Sequence, residues 1–285
     1  MKKVCISLLM CSVVLTSYGV VNSEAATRNA KTIGDITFTE GGGENEVDTP
    51  DPNPDTSPDK KPDPNPEPVQ DGDAGKGALK FTYLPAIHFG ISELNAQNIS
   101  YYYAELMERN YGDPAQNGDY PTFLTVQDVR GGAKGWKVSA KHDGKFINKA
   151  DTTDVLKARI QVNNANIHTN TFTEAADIAK YKPTSKVTAQ GNDYVTISSD
   201  ASQEVELMVA PMGTGYGKWS QGFGATNKLT TGKGKNGIED TGKVNSTKVN
   251  RNLGVRLEFP AQVAQTDVAK NKYEATIVWG LSDTL

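Results

Sequence analysis

The sequence predicts an all-β protein: a single antiparallel domain, sandwich-like or barrel-like, with at most one or two short helices. Three observations carry that reading. Apolar and polar residues alternate with period two in several runs, as half-buried strands require. The runs are short and bounded by Gly, Asn, Asp and Pro turn signals. Helical pattern is confined to two short pieces, around Glu93 to Asn98 and Thr173 to Lys180. With 36% hydrophobic and 22% charged residues among 285, the balance is that of a globular protein.

Taken in chain order, Lys2 and Lys3 precede an apolar stretch from Val4 to about Leu15, and Ser23-Glu24-Ala25 offers small residues for cleavage. Residues 1–25 therefore read as a signal peptide. The apolar run falls short of the about 20 residues that a membrane span needs, so the mature chain is expected to be secreted without a span. Cys5 and Cys11 lie inside this segment. Cleavage leaves no thiol nucleophile, disulfide or Cys-ligated metal.

Residues 26–43 form a short N-terminal segment with a β-like run from Ile33 to Thr39, ending in Gly41-Gly42-Gly43. Residues 44–76 read as a Pro/Asp-rich disordered linker. Eight of the 14 prolines fall between Pro50 and Pro68, and ten acids oppose Lys60 and Lys61 between residues 44 and 73. Proline offers no amide donor and like charges repel, so this stretch is expected to extend rather than pack. The remaining body, residues 74–285, holds 24 Lys/Arg and 21 Asp/Glu, a net of +3. So weak a charge gives no sign of a nucleic-acid partner.

Residues 77–285 form the β domain. Strands are expected at Leu79–Tyr83, Phe123–Val129, Leu156–Val162, Tyr194–Ser198, Val205–Val209 and Val255–Phe259. A further strand, Tyr273 to Leu281, is the clearest: Tyr273, Ala275, Ile277, Trp279 and Leu281 share one face, while Glu274, Thr276, Val278 and Gly280 take the other. The end, Ser282 to Leu285, carries neither a sorting motif nor an apolar tail. Retention at a surface is therefore expected to be non-covalent.

Two tryptophan motifs stand out. Gly135-Trp136-Lys137-Val138 follows Phe123 to Gly132, a run that contains Asp128-Val129-Arg130-Gly131, and Trp279-Gly280-Leu281 closes the last strand. With the signal, the Pro/Asp linker and the Gly-rich stretch Ala210 to Trp219, this order resembles the WxL-domain cell-surface proteins of low-GC Gram-positive bacteria. Val138 stands where the family has Leu, a change that nearly keeps volume and apolarity. The resemblance implies non-covalent attachment to peptidoglycan, with Trp136, Val138, Trp279 and Leu281 as the wall-binding motifs. It also implies partners: WxL-interacting proteins, other surface proteins and host matrix proteins.

Read as residues alone, the motifs allow two roles. Trp136 with Val138, and Trp279 with Leu281, are stripes suited to a core, since a buried Trp covers about 150–250 Å². The same rings would also serve as an exposed shelf for the apolar face of a sugar. Accessory contacts are expected from Tyr216 and Trp219, in a Gly-rich loop with Phe223, and from Lys137 and Lys141. Those lysines lie in a segment, Arg130 to Lys149, with a net charge of +5, and Lys218 to Arg256 carries +6. Such segments either steer toward polyanionic wall polymers or are ordinary solvated faces.

Catalytic patterns fail. Gly213-Thr214-Gly215-Tyr216-Gly217 lacks the helix of a dinucleotide site, and Gly232-Lys233-Gly234-Lys235 has the wrong spacing for a phosphate loop. His88, His142 and His168 lack metal-ligand spacing, and no Gly-x-Ser-x-Gly occurs. Asp128 is expected to bond the backbone or Arg130. The sequence thus predicts a secreted, wall-associated, non-catalytic peptidoglycan-binding protein without cofactor or metal. The rival is a subunit of a surface complex, or an adhesin, that is held at the wall indirectly.

Overall fold

The computed structural model describes residues 27–39, 75–93, 100–109, 118–189, 193–197, 199–224, 234–235, 248–249, 251–259 and 271–283. The expected signal peptide, most of the linker, Cys5 and Cys11 lie outside these residues. In chain order the strands begin with β1 (Thr27–Thr39), β2 (Leu79–Tyr83), β3 (Ile87–Glu93), β4 (Ser100–Glu105) and β5 (Met107–Arg109). There follow β6 (Gly118–Tyr120), β7 (Phe123–Asp128), β8 (Trp136–His142), β9 (Lys145–Asn148), β10 (Val155–Lys157), β11 (Arg159–Val162) and β12 (Asn166–Thr169). The helix α1 (Ala175–Tyr181) precedes β13 (Thr184–Ser185), β14 (Val195–Thr196), β15 (Val205–Ala210) and β16 (Gly217–Gly222). The chain closes with β17 (Gly234–Lys235), β18 (Lys248–Val249), β19 (Arg251–Phe259) and β20 (Lys272–Asp283). This is the all-β, sandwich-like architecture that the period-two runs predict. The helix falls where Thr173–Lys180 suggested one. Of the other expected helix, Glu93 ends β3 and residues 94–98 lie outside the described set.

The principal sheet runs β10-β9-β20-β8-β15-β13, with β1 on the other side of β20 and β3 beyond β1. Two four-stranded sheets, β14-β11-β19-β4 and β12-β16-β7-β2, pack against it. One continuous core joins all three, with Trp136, Trp279, Phe81, Phe146, Trp219, Ile160 and Leu257 among its members. At about 25 cal/mol per Å², burying such rings is the main stabilising term.

Two elements depart from the sequence reading. The run Leu156 to Val162 alternates without interruption, yet it is two strands parted at Ala158, whose amide bonds the Gly144 carbonyl at 3.1 Å. β10 pairs with β9 in the principal sheet, whereas β11 pairs with β19 in another. Leu156, Ala158 and Ile160 all face the core, so the apolar stripe continues around a corner between sheets. Alternation records which side is buried, and it is blind to a change of partner.

The second departure is at the start. Thr27–Thr39 is no appendage ahead of the domain. It pairs antiparallel with β20 from Thr27–Ser282 to Thr37–Lys272, and parallel with β3. Ala30 and Ile36 enter the core. The strand starts at Thr27, ahead of the β-like run from Ile33, because Ala30 and Thr32 are too short to mark a face by hydropathy. The Pro/Asp-rich stretch therefore joins two strands of one β domain.

At the junction of the sheets, Gly254 lies against Gly224. A Cβ on Gly254 would come within 2.2 Å of Gly224 backbone atoms, so only glycine admits this crossing. Asn163 ties both sides: its amide bonds the Gly254 carbonyl at 2.8 Å, and its carbonyl accepts from Gly224 at 3.0 Å.

Candidate functional site

The two Trp motifs meet on adjacent strands. β8 and β20 pair antiparallel with Val138 opposite Leu281, Trp279 opposite Ala140 and Trp136 opposite Asp283. Period two then sends Trp136, Val138, Trp279 and Leu281 to the same side, and all four are fully buried. The Trp136 Nε1–H donates to the Gly215 carbonyl at 3.0 Å, and the Trp279 Nε1–H donates to Thr32 Oγ1 at 2.8 Å. Each indole therefore loses its water without leaving a polar atom orphaned. Gly215 has φ +78°, and a Cβ there would sit 2.5 Å from Trp136 Nε1. The Gly-rich stretch is thus shaped to the first tryptophan.

The run leading to the first motif closes onto the last strand. Arg130 donates from Nε and Nη2 to the two carboxylate oxygens of Asp128, each at 2.9 Å, and from Nη2 to the Gly135 carbonyl at 2.7 Å. Its Nη1 bonds Asp283. Asp128 also caps the turn by accepting from the Arg130 amide at 3.0 Å. Asp128 thus bonds both the backbone and Arg130, the two partners expected of it. These hydrogen bonds hold the Arg130 guanidinium firmly in its charged form. One guanidinium fixes the end of β7, the approach to β8 and the end of β20.

The lysines beside the motifs are paired across strands. Lys137 meets Glu206 at 3.3 Å and Lys141 meets Glu204 at 3.1 Å. Ser139 also bonds Glu204, and that bond, ahead of Lys141, holds the Glu204 carboxyl below its usual range. Lys149 meets Glu274 at 2.7 Å. The +5 of Arg130 to Lys149 is thus largely matched by Glu204 and Glu206, just before and within β15, and by acids of β20.

The aromatic loop splits. Trp219 is fully buried, and its Nε1–H donates to the Tyr216 carbonyl at 2.8 Å. Phe223 is buried too. Tyr216 is 37% exposed and lies 6.1 Å from the ring of Tyr181 on α1, which stacks on Phe172 at 5.1 Å. Tyr181 and Phe172 escaped the sequence reading because they are far from Tyr216 in the chain. Thr32 escaped it likewise, since nothing local marks it as the partner of Trp279.

The histidines serve separate ends. His88 bonds Asp35 at 3.0 Å, a contact that raises its pKa. Burial opposes ionisation of Asp35, yet His88 and then Lys272 outweigh it and hold that carboxyl low. His142 is buried, and desolvation pushes it down to about 4. His168 lies on β12 opposite Ser220. No three His, Cys, Asp or Glu side chains converge as a metal site among the described residues.

A family model described as WxL domain surface cell wall-binding matches residues 25–284. No curated protein matches the chain. Among the described residues, no helix is long and apolar enough to cross a membrane. A surface domain that binds cell wall is extracellular and wall-associated. With its two Trp motifs on neighbouring strands and a match spanning essentially the whole sequence, the chain belongs to the WxL-domain family of cell wall-binding surface proteins.

Proposed function

We propose that this protein attaches non-covalently to peptidoglycan, without catalysis, through the solvent faces of its β domain. The observation that carries the reading is the family match over residues 25–284, which is to a binding domain. Trp136, Val138, Trp279 and Leu281 serve attachment by building the sheet. Their side chains are buried, so contact with the polymer falls to groups outside the core. Tyr216, backed by Tyr181 and Phe172, offers the exposed aromatic contact for a sugar face. Trp219 supports that loop from beneath. Lys137 and Lys141, half-shielded by Glu206 and Glu204, supply polar contacts rather than free charge.

The test is retention of the purified protein on washed, protein-free peptidoglycan sacculi. Attachment predicts co-sedimentation. A protein that stays in the supernatant while binding a WxL-interacting protein or a host matrix protein is instead a complex subunit or adhesin held at the wall indirectly. A cleared band in zymography would show hydrolysis and overturn the non-catalytic reading.

A further inference from the structure

On the sheet β14-β11-β19-β4, Arg256 has no acidic partner among the described residues. Arg256 on β19 lies with its guanidinium carbon 4.0 Å from the ring centre of Tyr101 and 3.6 Å from that of Tyr194. The two rings come from different strands and loops of the sheet. Tyr101 stands in register with Glu258, beyond Arg256 on one side, and the Tyr194 hydroxyl donates to the Leu253 carbonyl on the other at 2.7 Å. Arg256 Nε donates to Gln161 Oε1 at 2.7 Å. The Gln161 amide nitrogen is spent on Thr196 Oγ1 at 3.1 Å and Glu258 Oε2 at 3.0 Å, so its oxygen must face the arginine. Glu258 is engaged by Gln161 and, at 3.6 Å, by Arg159. Among the described residues, neither terminal nitrogen of Arg256 meets a protein acceptor.

These groups build a preorganised anion site. The guanidinium is immobilised by two aromatic faces and by a hydrogen bond to its inner nitrogen, which leaves the outward fork unused. Arg256 and Arg159 against Glu258 leave the cluster one positive charge in excess. Both rings lie within 4.0 Å of the guanidinium carbon. A carboxylate in the plane of the guanidinium accepts both forked N–H bonds. We infer that this face binds a free carboxylate of the wall polymer, on the stem peptides of peptidoglycan, with Arg256 as its clamp and Tyr101 and Tyr194 as its walls. The choice of that carboxylate rests on the peptidoglycan reading above. The site is separate from both Trp motifs.

The experiment follows the Arg256 Nε–Hε signal of the 15N-labelled full chain, assigned by its loss in Arg256→Lys. The probes are a soluble muropeptide with free carboxylates, the same muropeptide with its carboxylates amidated, and a glycerol-phosphate oligomer. A saturable shift with the first alone is expected. No shift with it, or an equal shift with the amidated form or the phosphate oligomer, overturns the assignment. Sacculus binding is measured in parallel with Arg256→Gln and Arg256→Lys. The lysine variant keeps a cation between the rings should the glutamine variant fail to fold. Each is expected to lower affinity roughly tenfold with an unchanged circular dichroism spectrum. Sacculi that retain the lysine variant and the wild type with equal affinity sink this site and leave the peptidoglycan reading standing. A muropeptide shift in a chain that sacculi do not retain does the reverse.

Discussion

Trp279 is enclosed on every side, and its one polar atom is bonded to Thr32. Replacing it with alanine removes the largest side chain of the central strand and opens a cavity. The expected loss is about 3–5 kcal/mol in chemical denaturation. A Trp279→Ala chain with wild-type stability would show that the ring is not a core element. His142 gives a second prediction at this scale. Its Nδ1 accepts from the Gly144 amide at 3.0 Å, and burial lowers its pKa to about 4. The unfolded chain binds this proton near pH 6.5, so the native state loses stability as pH falls from 6.5 toward 4, by about 3 kcal/mol in total. His88 shifts the other way, and its contribution is complete below pH 6.5. In that window the difference between wild type and His142→Asn therefore isolates His142. A difference that stays constant from pH 7 to pH 4 contradicts the assignment.

Among the elements, the last strand depends on a side chain from a loop. Asp128 is only 1% exposed and Asp283 is 35% exposed. Arg130→Gln strands the first carboxylate in the core and is expected to cost about 3 kcal/mol or more. Asp283→Asn removes the more exposed partner and is expected to cost under about 1 kcal/mol. Amide exchange at the end of β20 measures both, and equal effects would refute the asymmetry. At this scale the strands were largely legible. Tyr273 to Leu281 and Leu79 to Tyr83 stand as read, because one face of each is buried and hydropathy reports that face. Ser100 to Glu105 passed unnoticed: Tyr101, Tyr102 and Tyr103 look alike in sequence, although Tyr102 is buried and its neighbours are only half-buried.

For the whole molecule, the first described strand is structural. β1 covers one edge of β20 along eleven paired positions, and it supplies Ala30, Ile36 and the Thr32 hydroxyl. A chain starting at residue 75 leaves that edge and its apolar row open to solvent. It is expected to lose cooperative unfolding and to associate in gel filtration, and a peptide of residues 27–39 added in trans is expected to restore a monomeric fold. Cooperative unfolding of the shortened chain at wild-type stability would contradict this. The Pro/Asp-rich connector has both ends in one body. Cutting it after folding is accordingly expected to leave the two pieces together, whereas a tether to a separate part would release them.

By itself the sequence determined the class of fold, the facing of most strands and the family, since each is written in local periodicity or in motifs a few residues long. Tertiary structure alone decided that Trp136 and Trp279 turn inward side by side, that Lys137 and Lys141 meet acids of a neighbouring segment, and that Arg256 lies against Tyr101 and Tyr194. Burial and charge pairing are relations between strands distant in the chain, and no window of sequence contains both partners.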